Sequence, residues 1–215
     1  GKTKDYLSFS YQDQPETIDE SQFITDWEFV PMIVGTFYIR KFQSLYLFGE
    51  YEKALSYMPV IDRNFAGCGG HLVTSEYHFY RALAILALHS NDYKIKPDYL
   101  IPLEASRDFI KKCADQCPGN FLFFQRLLEA ETARYQSQDL EAMDLYDQAV
   151  AMARQSRFIH YEGLANELAA KFYLSKGKTQ FAAIYLYEAH YAYQLWGAIA
   201  KAQHLQTLYP QLLNK

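Results

Sequence analysis

Apolar residues recur at three- and four-residue intervals through most of the chain from Met32 onward, and short polar breaks interrupt the pattern. The segments are rich in Ala, Leu, Gln, Glu, Lys and Arg, the good helix formers. The pattern predicts helices over about 32–48, 50–62, 74–89, 99–116, 120–137, 139–156, 160–176, 178–195 and 197–208. Breaks fall where turn chemistry predicts them, at Gly49, Gly67-Cys68-Gly69-Gly70, Asn91-Asp92, Pro118-Gly119-Asn120, Gly177 and Pro210. No stretch alternates cleanly with period two, so no sheet is called for. Residues 1–31 are different: Ser8 to Ser21 holds Pro15 and many polar residues without helical periodicity. That part is read as an irregular N-terminal segment, with at most a short helix near Ile18 to Trp27, and Pro31 as its boundary.

An internal repeat organises the rest. Ala130, Ala142, Tyr146 and Ala149 recur as Ala170, Ala182, Leu186 and Ala189, offset by 40 residues at every position. The spacing is that of a tetratricopeptide (TPR) hairpin, in which small residues sit where two helices cross and a large one fills the space beside them. A looser copy has Phe42, Ala54, Met58 and Ile61, with Gly49-Glu50-Tyr51 at its turn. A less regular one aligns Ala105, Phe109 and Lys112. One hairpin cannot bury its apolar face alone, so neighbours must stack. The expected fold is all-α: over residues 32–215, a TPR-like α-α superhelix, a right-handed solenoid of about four helical hairpins plus a C-terminal capping helix. First helices would line its concave face, the default site for a partner.

Half of the 215 residues are hydrophobic, enough for a substantial core. The net charge of −4, with both signs interleaved, gives no footprint for nucleic acid or an anionic membrane. The apolar run from Ala82 to Leu88 is far short of the roughly 20 residues a membrane span needs. Cys68, Cys113 and Cys117 make no disulfide framework, which fits a reducing, cytoplasmic setting. The start at Gly1, without Met or a secretory pattern, suggests a piece of a larger polypeptide.

Candidate chemistry is sparse. Gly67-Cys68-Gly69-Gly70 lacks the Lys-Ser/Thr continuation of a phosphate loop, and Cys113 with Cys117 lacks the second pair of a structural zinc site. The histidines form no metal-binding helical pair; His78, beside Arg81, is the one singled out. Glu129 with Glu131, and Glu162 with Glu167, are carboxylate pairs but fit a solvated helix face. No catalytic residue, cofactor or metal is expected. The candidate partner-binding residues on the concave face are His78, Arg81, Glu131, Arg134, Tyr135, Glu167 and Lys171; a plainly solvated face is the competing reading. Of the C-terminal aromatics, Tyr185 and Tyr193 follow core spacing, whereas Tyr187 and Tyr191 form a candidate exposed aromatic patch.

Several segments carry a resemblance: Glu76-Tyr77-His78-Phe79-Tyr80, the run from Glu141 to Ala149, Leu164 to Ala170, and Trp196-Gly197-Ala198 with Ala200-Lys201. Over roughly residues 37–213 the chain resembles the helical repeat region of large, mainly bacterial and especially cyanobacterial, multidomain signalling kinases. There the region lies between an AAA/STAND-type ATPase domain and a GAF domain with a sensor histidine kinase, often behind a Ser/Thr kinase domain. The resemblance implies a non-catalytic coupling module of a two-component-type signal-transduction protein, with the ATP-dependent kinase chemistry elsewhere in the polypeptide. Its partners would be a protein or peptide, including adjacent domains, with a homo-oligomer as a further expectation. An alternative is the small-molecule sensor arm of a STAND-type ATPase regulator.

Overall fold

A computed structural model describes residues 19–65, 71–90 and 94–213. The readings made on Gly67-Cys68-Gly69-Gly70, Asn91-Asp92 and most of the N-terminal segment lie outside these residues. The described chain is helical, with no strand among the described residues. In order it forms α1 (Glu20–Trp27), α2 (Pro31–Leu47), α3 (Tyr51–Ser56), α4 (Met58–Asn64), α5 (Leu72–Leu88), α6 (Pro97–Gln116), α7 (Pro118–Tyr135), α8 (Asp139–Gln155), α9 (Ile159–Ser175), α10 (Thr179–Leu195), α11 (Ile199–Leu208) and α12 (Pro210–Leu213). It divides into two compact units between Phe109 and Ile110.

In the first unit, α1 forms because the Asp19 carboxylate accepts hydrogen bonds from the Ser21 and Gln22 amides at 2.8 and 3.0 Å, satisfying donors that the helix itself cannot. Glu20 pairs with the buried Lys41, and Phe23 packs on Phe37 at 5.4 Å, which fixes α1 against α2. The helix expected over 50–62 is instead two short ones, α3 and α4. Pro59 has no amide to donate to Leu55, so the ladder breaks at Tyr57. Phe42, Ala54 and Ile61, from the looser repeat copy, are all fully buried. At the centre lies α5, buried from Val73 to Leu86 on every side, packed on α2 and α3.

In the second unit the packing runs in chain order: α7 on α8, α8 on α9, α9 on α10, and α10 on α11 and α12. Ala130, Ala142, Tyr146 and Ala149 are fully buried, and so are Ala170, Ala182, Leu186 and Ala189. Gly163 shows how close α9 and α10 approach, since a Cβ there would lie 3.1 Å from the Tyr193 ring.

One device closes successive helices. Ser137, Arg157, Gly177 and Gly197, spaced 20 residues apart, all take positive φ, at 59°, 57°, 68° and 82°. The next amide in each case donates back to the carbonyl five residues earlier: Gln138 to Ala133, Phe158 to Ala153, Lys178 to Tyr173 and Ala198 to Tyr193, at 2.8, 3.1, 2.9 and 2.9 Å. These bonds satisfy carbonyls that the helix ends leave open. Gly49 does the same in the first unit, with Glu50 donating to Leu45. Two of these left-handed positions carry side chains, so glycine punctuation reveals only part of the period.

Candidate functional site

The second unit holds two buried carboxylates. Glu167 on α9 is 2 % exposed, yet accepts from the Tyr193 hydroxyl at 2.8 Å, Lys171 Nζ at 2.8 Å and Lys201 Nζ at 2.9 Å. Three helices therefore meet on one side chain: α9 supplies Glu167 and Lys171, α10 supplies Tyr193 and α11 supplies Lys201. Burial alone would push the Glu167 carboxyl up, but attraction to Lys171 and Lys201, with their hydrogen bonds, outweighs it and holds the pKa at about 2. Burial pushes the Lys201 ammonium below its ordinary range, with Glu167 opposing.

Glu131 on α7 is likewise buried. It accepts from the Tyr146 hydroxyl of α8 and lies 3.3 Å from Arg134. Burial, and then the negative charge of Glu131, push the Tyr146 phenol well above its usual range, so it remains a donor. The reading of these carboxylates as groove or solvated-face groups is corrected for Glu131 and Glu167, which are interior because Tyr, Lys and Arg side chains compensate their burial. Arg134 and Lys171 are half-buried and form the accessible border of the two clusters, on α7 and α9, which lie in contact; Tyr135, next in sequence to Arg134, is half-buried too.

His78 and Arg81 lie together in the first unit and are also buried. Arg81 donates to Ser106 Oγ at 2.8 Å and to His78 Nδ1 at 3.2 Å, and it stacks over the Tyr77 ring. A guanidinium only donates, so Nδ1 accepts and the imidazole is neutral with its proton on Nε2. The ring lies flat on Phe109, with centroids 4.1 Å apart. Burial, and then the Arg81 charge, lower the His78 pKa to about 3. A hydrogen bond from Tyr77 to Asp62 at 2.9 Å and an Arg81–Asp62 contact at 3.6 Å extend this cluster. It is a polar interior joint, with His78 8 % and Arg81 6 % exposed.

Two of the accessible surfaces are largely apolar. An open apolar groove of about 680 Å³ in the first unit is lined by Phe23, Met32, Ile33, Phe37, Leu72 and Val73, with Arg40 and His71 at its edge. On α10, Tyr187 and Tyr191 are exposed, together with Phe181, Ile184 and Leu195. No group of three or more His, Cys, Asp or Glu is placed to hold a metal among the described residues. Neither Cys113, which is half-buried, nor Cys117, which is exposed, forms a disulfide. No described helix is long and apolar enough to cross a membrane.

Of the functional groups, sequence reasoning missed Tyr146, Tyr193 and Lys201. A tyrosine at a core position is the one local hint that a buried acceptor stands opposite its hydroxyl. Lys201 appeared only within the resemblance, with nothing in its spacing to pair it with Glu167.

Comparison with known proteins supplies context for one part of the chain. A 64-residue stretch, 30% of the chain, is 42% identical to part of "Hybrid signal transduction histidine kinase G" of Dictyostelium discoideum. The match spans 2% of that protein's length. No protein-family model matches the chain, and no solved structure matches it.

Proposed function

We propose that this chain is a non-catalytic interaction and coupling module of a multidomain signalling kinase, built from TPR-like hairpins. It binds a protein partner or a neighbouring domain along the first helices of those hairpins. The observation that carries the reading is the buried recurrence of Ala130, Ala142, Tyr146 and Ala149 as Ala170, Ala182, Leu186 and Ala189, in two helix pairs packed in chain order. Such units bury a continuous core by stacking on their neighbours and together present an extended binding surface. The similarity to a signal transduction histidine kinase supports the setting.

On this reading Arg134, Tyr135 and Lys171 make contact, while Glu131 and Glu167 hold the cations in place from behind at 3.3 and 2.8 Å. A preorganised cationic edge fits an acidic or polar partner surface, since ordering costs have been met before binding. The test is crosslinking of the natural full-length polypeptide through position 135. An adduct to an adjacent domain or a partner protein supports the reading, and the absence of any adduct counts against it.

A second reading, a small-molecule sensor, is favoured by the apolar groove bordered by Arg40 and His71. A thermal-shift screen with apolar metabolites would raise the melting temperature of wild type and not of Phe37→Glu if it is right.

A further inference from the structure

The outward face of α10 is apolar where the matching face of its repeat partner is polar. Offset by 40 residues, Glu141, Asp144, Asp147, Ala151 and Gln155 of α8 become Phe181, Ile184, Tyr187, Tyr191 and Leu195 of α10. All ten residues are exposed. In α10 the exposed fractions are 54, 64, 64, 52 and 57 %. At 100° per residue the five lie on one side of the helix, opposite Ala182, Leu186, Ala189 and Tyr193, which face the core. Thus α10 is largely apolar on both faces, and on the outward one the fold uses only Phe181, stacked on Tyr173 at 5.5 Å, and Glu188, paired with Arg154. A helix apolar all round is normally covered all round.

We infer that this face pairs with the same face of a second copy of the chain, α10 running antiparallel to α10 about a two-fold axis near Glu188. Three observations select a second copy as the occupant. The first is area. With side chains of roughly 150–250 Å² each, the five leave about 600 Å² of apolar surface in water, at the upper limit of what ordinary monomers expose. Two copies together bury about 1,200 Å², which reaches the range of specific protein interfaces.

The second is self-complementarity. Phe181 and Leu195 stand seven residues on either side of Glu188, and Ile184 and Tyr191 four and three residues on either side. An antiparallel two-fold pairing therefore sets Phe181 against Leu195 and Ile184 against Tyr191, a large ring against an aliphatic chain in each case. The third is charge. Glu188, nearest the axis, is paired with Arg154 at 3.0 Å, a cation that it shares with Glu162 at 2.6 Å. The carboxylate that each copy brings to the axis is thus partly compensated, and Arg154 and Glu162 provide a polar rim around an apolar centre. This face is separate from the α7 and α9 border assigned to a partner, and the inference does not rest on that assignment.

Sedimentation equilibrium of the 215-residue chain from about 1 to about 200 µM tests it. The average mass should rise from 25.0 kDa toward twice that value. An interface of this modest area implies half-association in the range of about 1–100 µM. Ile184→Glu and Tyr191→Glu should each weaken association at least tenfold, and the double variant should remain at the monomer mass throughout. Both positions are more than half exposed, so circular dichroism and melting temperature should stay those of wild type. Glu141→Ala, on the matching face of α8, should leave association unchanged. A wild-type chain that stays monomeric at the highest concentration, or a double variant that associates like wild type, overturns the inference.

Discussion

Replacing Glu167 by Ala removes the acceptor on which α9, α10 and α11 meet. Lys201, whose side chain is 4 % exposed, then loses its Glu167 partner while Lys171 stays nearby, and the Tyr193 hydroxyl loses the Glu167 acceptor. Breaking a buried pair from one side costs about 3–5 kcal/mol. Lys201→Met is predicted to cost less, about 1–2 kcal/mol, because Glu167 keeps Lys171 and Tyr193. Glu167→Leu combined with Lys201→Met removes both charges and should lie within about 1–2 kcal/mol of wild type. Urea unfolding reads these values. The two tryptophans fall one in each unit, so Trp27→Phe leaves Trp196 as the reporter of the second. The sign of the pH dependence follows from the lowered pKa. Stability from Glu167 is complete above about pH 4.5 and is lost as pH falls toward 2, because the unfolded carboxyl takes up a proton first. A loss below about 1 kcal/mol in Glu167→Ala, or a double variant as damaged as the sum of its parts, would refute the role of the cluster.

Other perturbations address different links. Ser137→Gly and Arg157→Gly should each stabilise the second unit by about 0.5–1 kcal/mol in urea unfolding, since both residues are exposed and sit at φ near 58°. Gly163→Ala should destabilise by about 1–2 kcal/mol in the same assay despite better helix propensity, because the Tyr193 ring it would press on is buried and tethered to Glu167. For His78 the folded pKa of about 3 lies below the ordinary 6.5, so its contribution is complete above pH 6.5 and falls by about 1.4 kcal/mol per pH unit between roughly pH 6 and 4. Stability measured across that range should show a flatter acid limb in His78→Gln than in wild type.

The helix pattern was legible because apolar spacing and turn residues agree. From α5 to α11 the ends fall within a few residues of the predicted ones. The repeat showed in its small residues, whose burial at helix crossings leaves little freedom of side chain. Three things were not legible. Pro59 splits the expected second helix of the looser repeat, an effect that its Met58 and Ile61 spacing hides. Ser137 and Arg157 take a backbone region that glycine usually announces, so the 20-residue period of the turns was half concealed. Glu131 and Glu167 have the i, i+3 and i, i+4 cations of an ordinary solvated helix face, and only Tyr146, Tyr193 and Lys201 on other helices explain their burial. The α10 stripe is the opposite case: matching α8 to α10 position by position would have found Phe181, Ile184 and Leu195 beside the two tyrosines.

The most direct test of the proposed coupling role uses a photo-crosslinking phenylalanine analogue at Tyr135 in the natural full-length polypeptide. The same analogue at Glu141, on α8, serves as the comparison. Adducts from position 135 should map to one neighbouring domain or partner protein, fall when Arg134→Glu and Lys171→Glu are introduced, and be scarce from position 141. Equal labelling from both positions, or labelling indifferent to the two charge reversals, would contradict a partner site along α7 and α9.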